Sequence, residues 1–184
     1  MIIFKNNDYV YVAIPMGYHA YSNKSQVDVD FPENWDAFFT GDDTSTIVAV
    51  DSVSDRTIDL LRYSDLFDCD ITQKTLYGIK SKIDMLIEGT NVDCESKNYG
   101  VIVCRGNKAY EMRSFGFAVE VGDFERLGES RQYSYAIYEN VKSIESIEER
   151  VSKYYKQMSN ICGGNMFPVV LLSTQNKEYK VIEA

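Results

Sequence analysis

Along the chain, short apolar runs of strand type give way to helical spacing, return, give way again and return once more. Residues 1–5 (MIIFK) and 9–14 (YVYVAI) are rich in β-branched and aromatic positions, and Asn6-Asn7-Asp8 between them favours a tight reversal, which predicts a hairpin. A second antiparallel pair is predicted at 35–40 and 46–50, joined by Gly41-Asp42-Asp43. The spacing then changes. Leu76, Ile79, Ile83, Leu86 and Ile87 recur every three or four residues within 70–88, with Asp70 and Gln73 at the separation of a capping box. A shorter helix is predicted ahead of it, starting near Ser54 or Asp55 and turning Ile58 and Leu61 inward.

Strand signals resume at 99–104, 109–113, 117–121 and 124–127. Two more helices follow. One runs from about Ser130 to Val141 and carries Tyr133, Ala136 and Ile137. The other opens at Ser146 with Glu149 as its capping acid, lines up Ile147, Val151, Tyr154, Met158 and Ile161, and ends at Gly163-Gly164. A closing hairpin, 167–173 and 178–182, turns around Gln175-Asn176-Lys177. Strands and helices therefore come in segregated blocks, which predicts an α+β fold of antiparallel sheets with helices on their outer faces.

Composition narrows the function classes. The 184 residues carry 28 acidic and 19 basic side chains, a formal charge of −9, with a pI near 4.7. That field repels phosphate, so neither nucleic acid nor an anionic membrane is expected as a partner. No apolar run approaches the roughly 20 residues of a membrane helix. The early apolar run is broken by Lys5 and Asp8, so no signal peptide is expected, and the four cysteines, Cys69, Cys94, Cys104 and Cys162, lack metal-site spacing. All four read as small core residues of a protein in a reducing cytoplasm. No interdomain linker is marked, and one domain over 1–184 is expected.

Two segments carry a family resemblance. Residues 37–60, AFFTGDDTSTIVAVDSVSDRTIDL, resemble a hairpin running through a small-residue turn into a helix opened near Asp55. Residues 99–128 hold Tyr110-Glu111 followed at Gly116 by glycine, and end in a strand reaching Gly128. Both, with the element order, resemble the proteasome β-subunit and bacterial proteasome-like peptidase branch of the N-terminal-nucleophile (Ntn) hydrolases. The resemblance implies a four-layer αββα sandwich of two antiparallel sheets flanked by helices. It also implies assembly into rings.

In that family the leading Thr, Ser or Cys is the nucleophile and its own α-amino group is the base. Here the first strand opens on Met1, a thioether with no proton to lose, and Ile2 behind it is equally inert. Pro15 stands near the family's Asp position, no lysine occurs between Lys24 and Lys74, and Leu127-Gly128-Glu129-Ser130 replaces a Gly-Ser-type phrase. The expectation is a pseudoenzyme with no catalytic residues, no cofactor and no metal. It would work by self-assembly, possible rings included, or by binding a protein with a basic surface. Its compact, Asn- and Tyr-rich style suits a phage or low-GC bacterial protein.

The competing reading is an active threonine-type peptidase or amidohydrolase, made by internal cleavage before Thr46 or by chemistry around His19, the only histidine. The acidic pairs Asp28/Asp30, Asp42/Asp43 and Asp68/Asp70 read as turns or solvated edges rather than cation sites. Tyrosine is abundant, 14 residues, and Tyr135, Tyr138 and Tyr155 are the candidate interface anchors wherever they lie opposite the core stripe.

Overall fold

The computed structural model of the chain describes residues 1–17, 29, 32, 35–40, 45–90, 99–113, 117–128 and 131–184. Its elements follow in the order β1 (Ile2–Lys5), β2 (Val10–Pro15), β3 (Ala37–Thr40), β4 (Thr46–Asp51), α1 (Asp55–Arg62) and α2 (Gln73–Thr90). Then come β5 (Gly100–Arg105), β6 (Lys108–Arg113), β7 (Val119–Glu120), β8 (Phe124–Arg126), α3 (Arg131–Val141), α4 (Ile147–Cys162), β9 (Val169–Ser173) and β10 (Tyr179–Ile182). One sheet has the order β10-β9-β2-β1-β8 and the other β3-β4-β5-β6-β7. All neighbouring strands are antiparallel.

Both faces of each sheet are covered, which explains why the strands read as continuous apolar runs rather than alternating ones. Successive side chains point to opposite faces. Ile3, Val12, Val170 and Leu172 of one sheet meet Ile47, Ala49, Ile102 and Cys104 of the other in an inter-sheet core. Their neighbours Ile2, Phe4, Val169 and Leu171 pack outward under α3 and α4, against Ile137, Val151, Tyr154 and Met158. On the second sheet Val48, Val50, Val101 and Val103 pack under α1 and α2, against Ile58, Leu61, Leu76 and Ile83. The result is the expected four-layer αββα sandwich.

Local capping positions these layers. The Asn6 side-chain oxygen accepts from the backbone of Asp8 (2.9 Å) and Tyr9 (2.7 Å), closing the first hairpin. Ser54 caps α1 by accepting from the Thr57 N–H at 3.2 Å, and Ser146 caps α4 by accepting from Glu149 at 3.3 Å. Gly163 ends α4 with φ at 70°, the left-handed conformation that its lack of a Cβ allows. The sheets are tied at one end, where Thr174 Oγ1 donates to the Gly106 carbonyl (2.5 Å) and the Asn107 amide donates to the Asn7 carbonyl (3.0 Å).

Several expectations are corrected. The α2 cap is Thr72 with Thr75, each side chain accepting from the other's backbone N–H at 3.0 and 3.2 Å, while Gln73 donates to the Ala118 carbonyl (3.0 Å). In α3 the inward residues are Ser134, Ile137, Tyr138 and Val141, and Tyr133 and Ala136 face outward. In α4 Tyr155 is buried and Ile161 is exposed. Cys104 is a core residue, but Cys162 is only half-buried and Cys69 is exposed, because it lies in the polar connection between α1 and α2. Cys94 and the Gly41-Asp42-Asp43 turn lie outside the described residues.

Candidate functional site

The resemblance directs attention to the start of β1. The Met1 α-amino nitrogen donates to the Leu127 carbonyl at 3.1 Å, and the Leu127 N–H returns a bond to the Met1 carbonyl at 3.0 Å. These two bonds carry the β1–β8 ladder one residue further. The Met1 side chain is 8% exposed and belongs to the inter-sheet core, together with Met16, Trp35 and Leu127.

Beside it, the end of β4 meets the end of β8. Gly128 sits at φ +71°, and a Cβ there would lie 3.3 Å from the Asp51 carboxylate. Asp51 pairs with Gly100 across the ladder, and a Cβ on Gly100 would come within 3.0 Å of the Leu127 side chain. Two glycines thus let β4, β5 and β8 crowd around the first residue of β1. The side chain at the head of this frame is a thioether.

The other expected groups are replaced as well. Pro15, at the end of β2, offers no side-chain donor or acceptor, and the chain beyond it is tied through Met16 N–H to the Pro168 carbonyl (2.9 Å) and Gly17 N–H to the Met166 carbonyl (3.2 Å). Where a lysine would precede β3 stand the buried Trp35 and the half-buried Asp36. Of the described side chains at this end, Met1, Pro15, Met16, Trp35 and Leu127 do not ionise, while Asp36 and Asp51 are carboxylates.

Thr46 opens β4 at the opposite end of that strand from Asp51, and it is fully buried. Arg105 Nε donates to its hydroxyl oxygen at 2.6 Å, while the same guanidinium donates to the carbonyls of Cys69 (2.7 Å) and Phe67 (2.5 Å). A cationic donor on the hydroxyl oxygen is not a base that could take its proton. Cleavage before Thr46 would also remove β1 and β2, two of the inner strands of the first sheet. His19, Asp28, Asp30, Asp42, Asp43, Glu129 and Ser130 lie outside the described residues. Asp68 and Asp70 are exposed, and among the described residues no group of three or more His, Cys, Asp or Glu side chains converges as a metal site.

The tyrosine anchors divide. Tyr155 is fully buried in α4 and donates to the Ala13 carbonyl at 3.0 Å. Tyr138 is buried and stacks on Phe124 at 4.2 Å. Both belong to the chain's own core and so do not lie opposite the core stripe. Their apolar rings find the sheet beneath them while the hydroxyl is satisfied by a carbonyl. Tyr135 is half-buried, edge-on to Phe124, with its hydroxyl donating to Glu125 at 3.3 Å. Burial and the neighbouring Glu125 charge push its proton affinity up.

Exposed apolar side chains include Leu60 on α1, Tyr63 at its C-terminal cap and Met85 on α2, with Phe117 and Val119 beside β7. The sequence signal for those within the helices is the doubled apolar step, Leu60-Leu61 and Met85-Leu86-Ile87, where one apolar residue falls out of phase with the inward stripe.

No protein-family model matches the chain, and no curated protein sequence does so. Solved structures do. BPH from Thiobacillus denitrificans in complex with epoxomicin superposes with a TM-score of 0.67 at 12% identity, covering 100% of this chain and 98% of that one. This is the proteasome-like Ntn-hydrolase fold. Anbu, an ancestral beta-subunit, from Yersinia bercovieri gives 0.64 at 13% identity over 99% of this chain and 86% of its own. Eukaryotic HslV from Trypanosoma brucei gives 0.56 at 11% over 100% and 98%. The likeness is one of backbone, running the whole length of the proteasome-like chain, and at these identities it speaks for the fold alone. Among the described residues, no helix is long and apolar enough to cross a membrane.

Proposed function

We propose that this chain is a single proteasome-like domain without peptidase chemistry, which acts by self-assembly or by binding another protein in a reducing cytoplasm. One observation supports the reading. At the head of β1, where the resemblance expects a nucleophile, Met1, Ile2 and Ile3 hold no hydroxyl or thiol, and Gly128, Gly100 and the Met1–Leu127 pairing crowd around them. The ring-forming habit of the fold's proteasome β-subunits and the exposed apolar residues on α1 and α2 support an assembly role. The net charge of −9 favours a basic patch on any different partner.

Epoxomicin, the compound bound in the BPH structure, provides the test. The full chain incubated with it and with a panel of fluorogenic peptides is expected to keep its unmodified mass of 21.1 kDa and to release no fluorophore. A covalent adduct, or hydrolysis abolished by Thr46→Ala or His19→Ala, overturns the proposal.

A further inference from the structure

Strands β3 and β10 are edge strands of their two sheets. A groove of about 350 Å³, within the size range of small-molecule sites, runs between them. Its walls are aromatic, with Phe38 and Phe39 from β3, Trp35 ahead of that strand, Tyr63 at the C-terminal cap of α1 and Tyr179 from β10. Trp35 meets Tyr179 edge-on at 4.9 Å, which ties the two edges together. Trp35 is 3% exposed, yet its indole N–H has no hydrogen-bond partner among the described residues. Buried donors are nearly always partnered, because leaving one unsatisfied forfeits its hydration for nothing.

The charges in that lining have one sign. Arg62 and Lys177 are cationic, and no carboxylate lines the groove among the described residues, in a chain of net charge −9. Arg62 is held in place: its side chain is 11% exposed, its guanidinium lies 5.1 Å over the Phe38 ring, and it pairs at 3.5 Å with Asp59, which is not part of the lining. The field of the whole chain is screened beyond about 8 Å at physiological salt, so at contact range the two cations decide. A cationic ligand meets like charge there, and a neutral one gains only the rings. A carboxylate on a flat apolar body uses every feature of the groove. Guanidinium and ammonium donors suit its oxygens, and its ring packs edge-on or offset against the aromatic walls.

We propose that the groove between β3 and β10 binds a small aromatic carboxylate, its ring among Trp35, Phe38 and Tyr179 and its anionic head toward Arg62 and Lys177. The head of β1 takes no part, since Met1, Pro15, Leu127 and Asp51 are not in the lining, so the site stands whether or not the chain carries peptidase chemistry.

Trp35 is the only tryptophan of the chain, so its emission, excited where tyrosine does not absorb, reports on this groove. Phenylacetate, phenylacetamide and phenethylammonium carry the same ring and differ in charge, and each is titrated into the full chain. Phenylacetate is expected to change the emission saturably at about millimolar concentration or below. It should bind about tenfold more tightly than the amide, with the ammonium compound weaker than either. Lys177→Gln, at an exposed position in the β9–β10 turn, should weaken phenylacetate about fivefold and leave phenylacetamide unchanged, a split that a merely structural effect would not give. Arg62→Gln should show the same split more strongly, with circular dichroism checking that it folds. The proposal is overturned if phenylacetate gives no saturable change, if the amide binds as tightly as the acid, or if Lys177→Gln binds phenylacetate as wild type does or weakens both ligands alike. Calorimetric binding of phenylacetate that leaves the Trp35 emission unmoved also overturns it, because the ligand would then sit elsewhere.

Discussion

Arg105→Met tests whether Thr46 is a structural residue. The guanidinium joins three separated parts of the chain: the Thr46 hydroxyl at the start of β4, and the Phe67 and Cys69 carbonyls in the connection between α1 and α2. Methionine keeps the apolar stem and removes all three donors. The Cys69 carbonyl lies at an exposed bond and takes water instead, so its loss costs little. The Thr46 and Phe67 bonds are partly buried, and a hydrogen bond from a charged donor contributes about 1.5–3 kcal/mol. Discounting for partial exposure, we expect a loss of about 2–4 kcal/mol, or about 4–15 °C in Tm for a chain of this size. Urea titration should move the midpoint with little change in slope. Thr46→Val removes the acceptor, and the double variant should be less destabilised than the sum by about 1 kcal/mol. A cost for Arg105→Met below about 1 kcal/mol, or strict additivity, refutes the clamp.

Gly17→Ala should be severe. A Cβ there would lie 2.3 Å from the Asn165 carbonyl oxygen, 2.6 Å from that of Phe167 and 2.7 Å from the Met166 carbonyl carbon, all backbone atoms that cannot swing aside. The cost is expected at about 3 kcal/mol, read by urea unfolding. Gly78→Ala, in α2 with nothing within 4 Å, is the control and should stabilise by about 0.5–1 kcal/mol. Equal effects of the two substitutions would refute the packing argument. Stability should also fall in alkali. Burial first, and then its hydrogen bond to the Asp84 carboxylate, hold the Tyr99 proton well above the ordinary 10.0. A raised folded-state affinity means that its stabilising contribution is complete below about pH 10 and is lost as pH rises further. Burial raises Tyr138 in the same sense. Tyr99→Phe should flatten the alkaline fall of the urea midpoint, and an unchanged profile counts against the assignment.

The strands were legible because double-sided burial leaves a plain mark. Ile2, Ile3 and Phe4 are apolar in succession since consecutive side chains enter different cores. The helix faces were less so. In α3 the face through Tyr133 and Ala136 and the face through Ser134 and Tyr138 differ by one residue, and tyrosine, half apolar and half polar, does not reveal which is inward. The α2 cap was misplaced because Gln73 is engaged by Ala118, a partner 45 residues away that local spacing cannot show. At the candidate site the residue types are readable from the sequence and their geometry is not. Met1, Pro15 and the missing lysine stand in the sequence. The approach of Asp51 to Gly128 exists only after β4 and β8, from different sheets, are brought together.

That separation means that the fold does not depend on the group at the head of β1. The β1 strand is held by its ladders to β2 and β8 and by Ile2, Ile3 and Phe4, none of which depends on the leading side chain. A nucleophile at the head of the strand must keep a hydroxyl or thiol reachable by substrate and place a base beside it, which costs desolvation and forgoes apolar burial. Met1 does the reverse. At 8% exposure it fills the inter-sheet core, a contribution of about 1.5–3 kcal/mol for a side chain of its size. Once catalysis is not required, stability alone favours the apolar residue at this position. Trp35 ahead of β3 adds to the same inter-sheet core, with its ring edge-on to Tyr179.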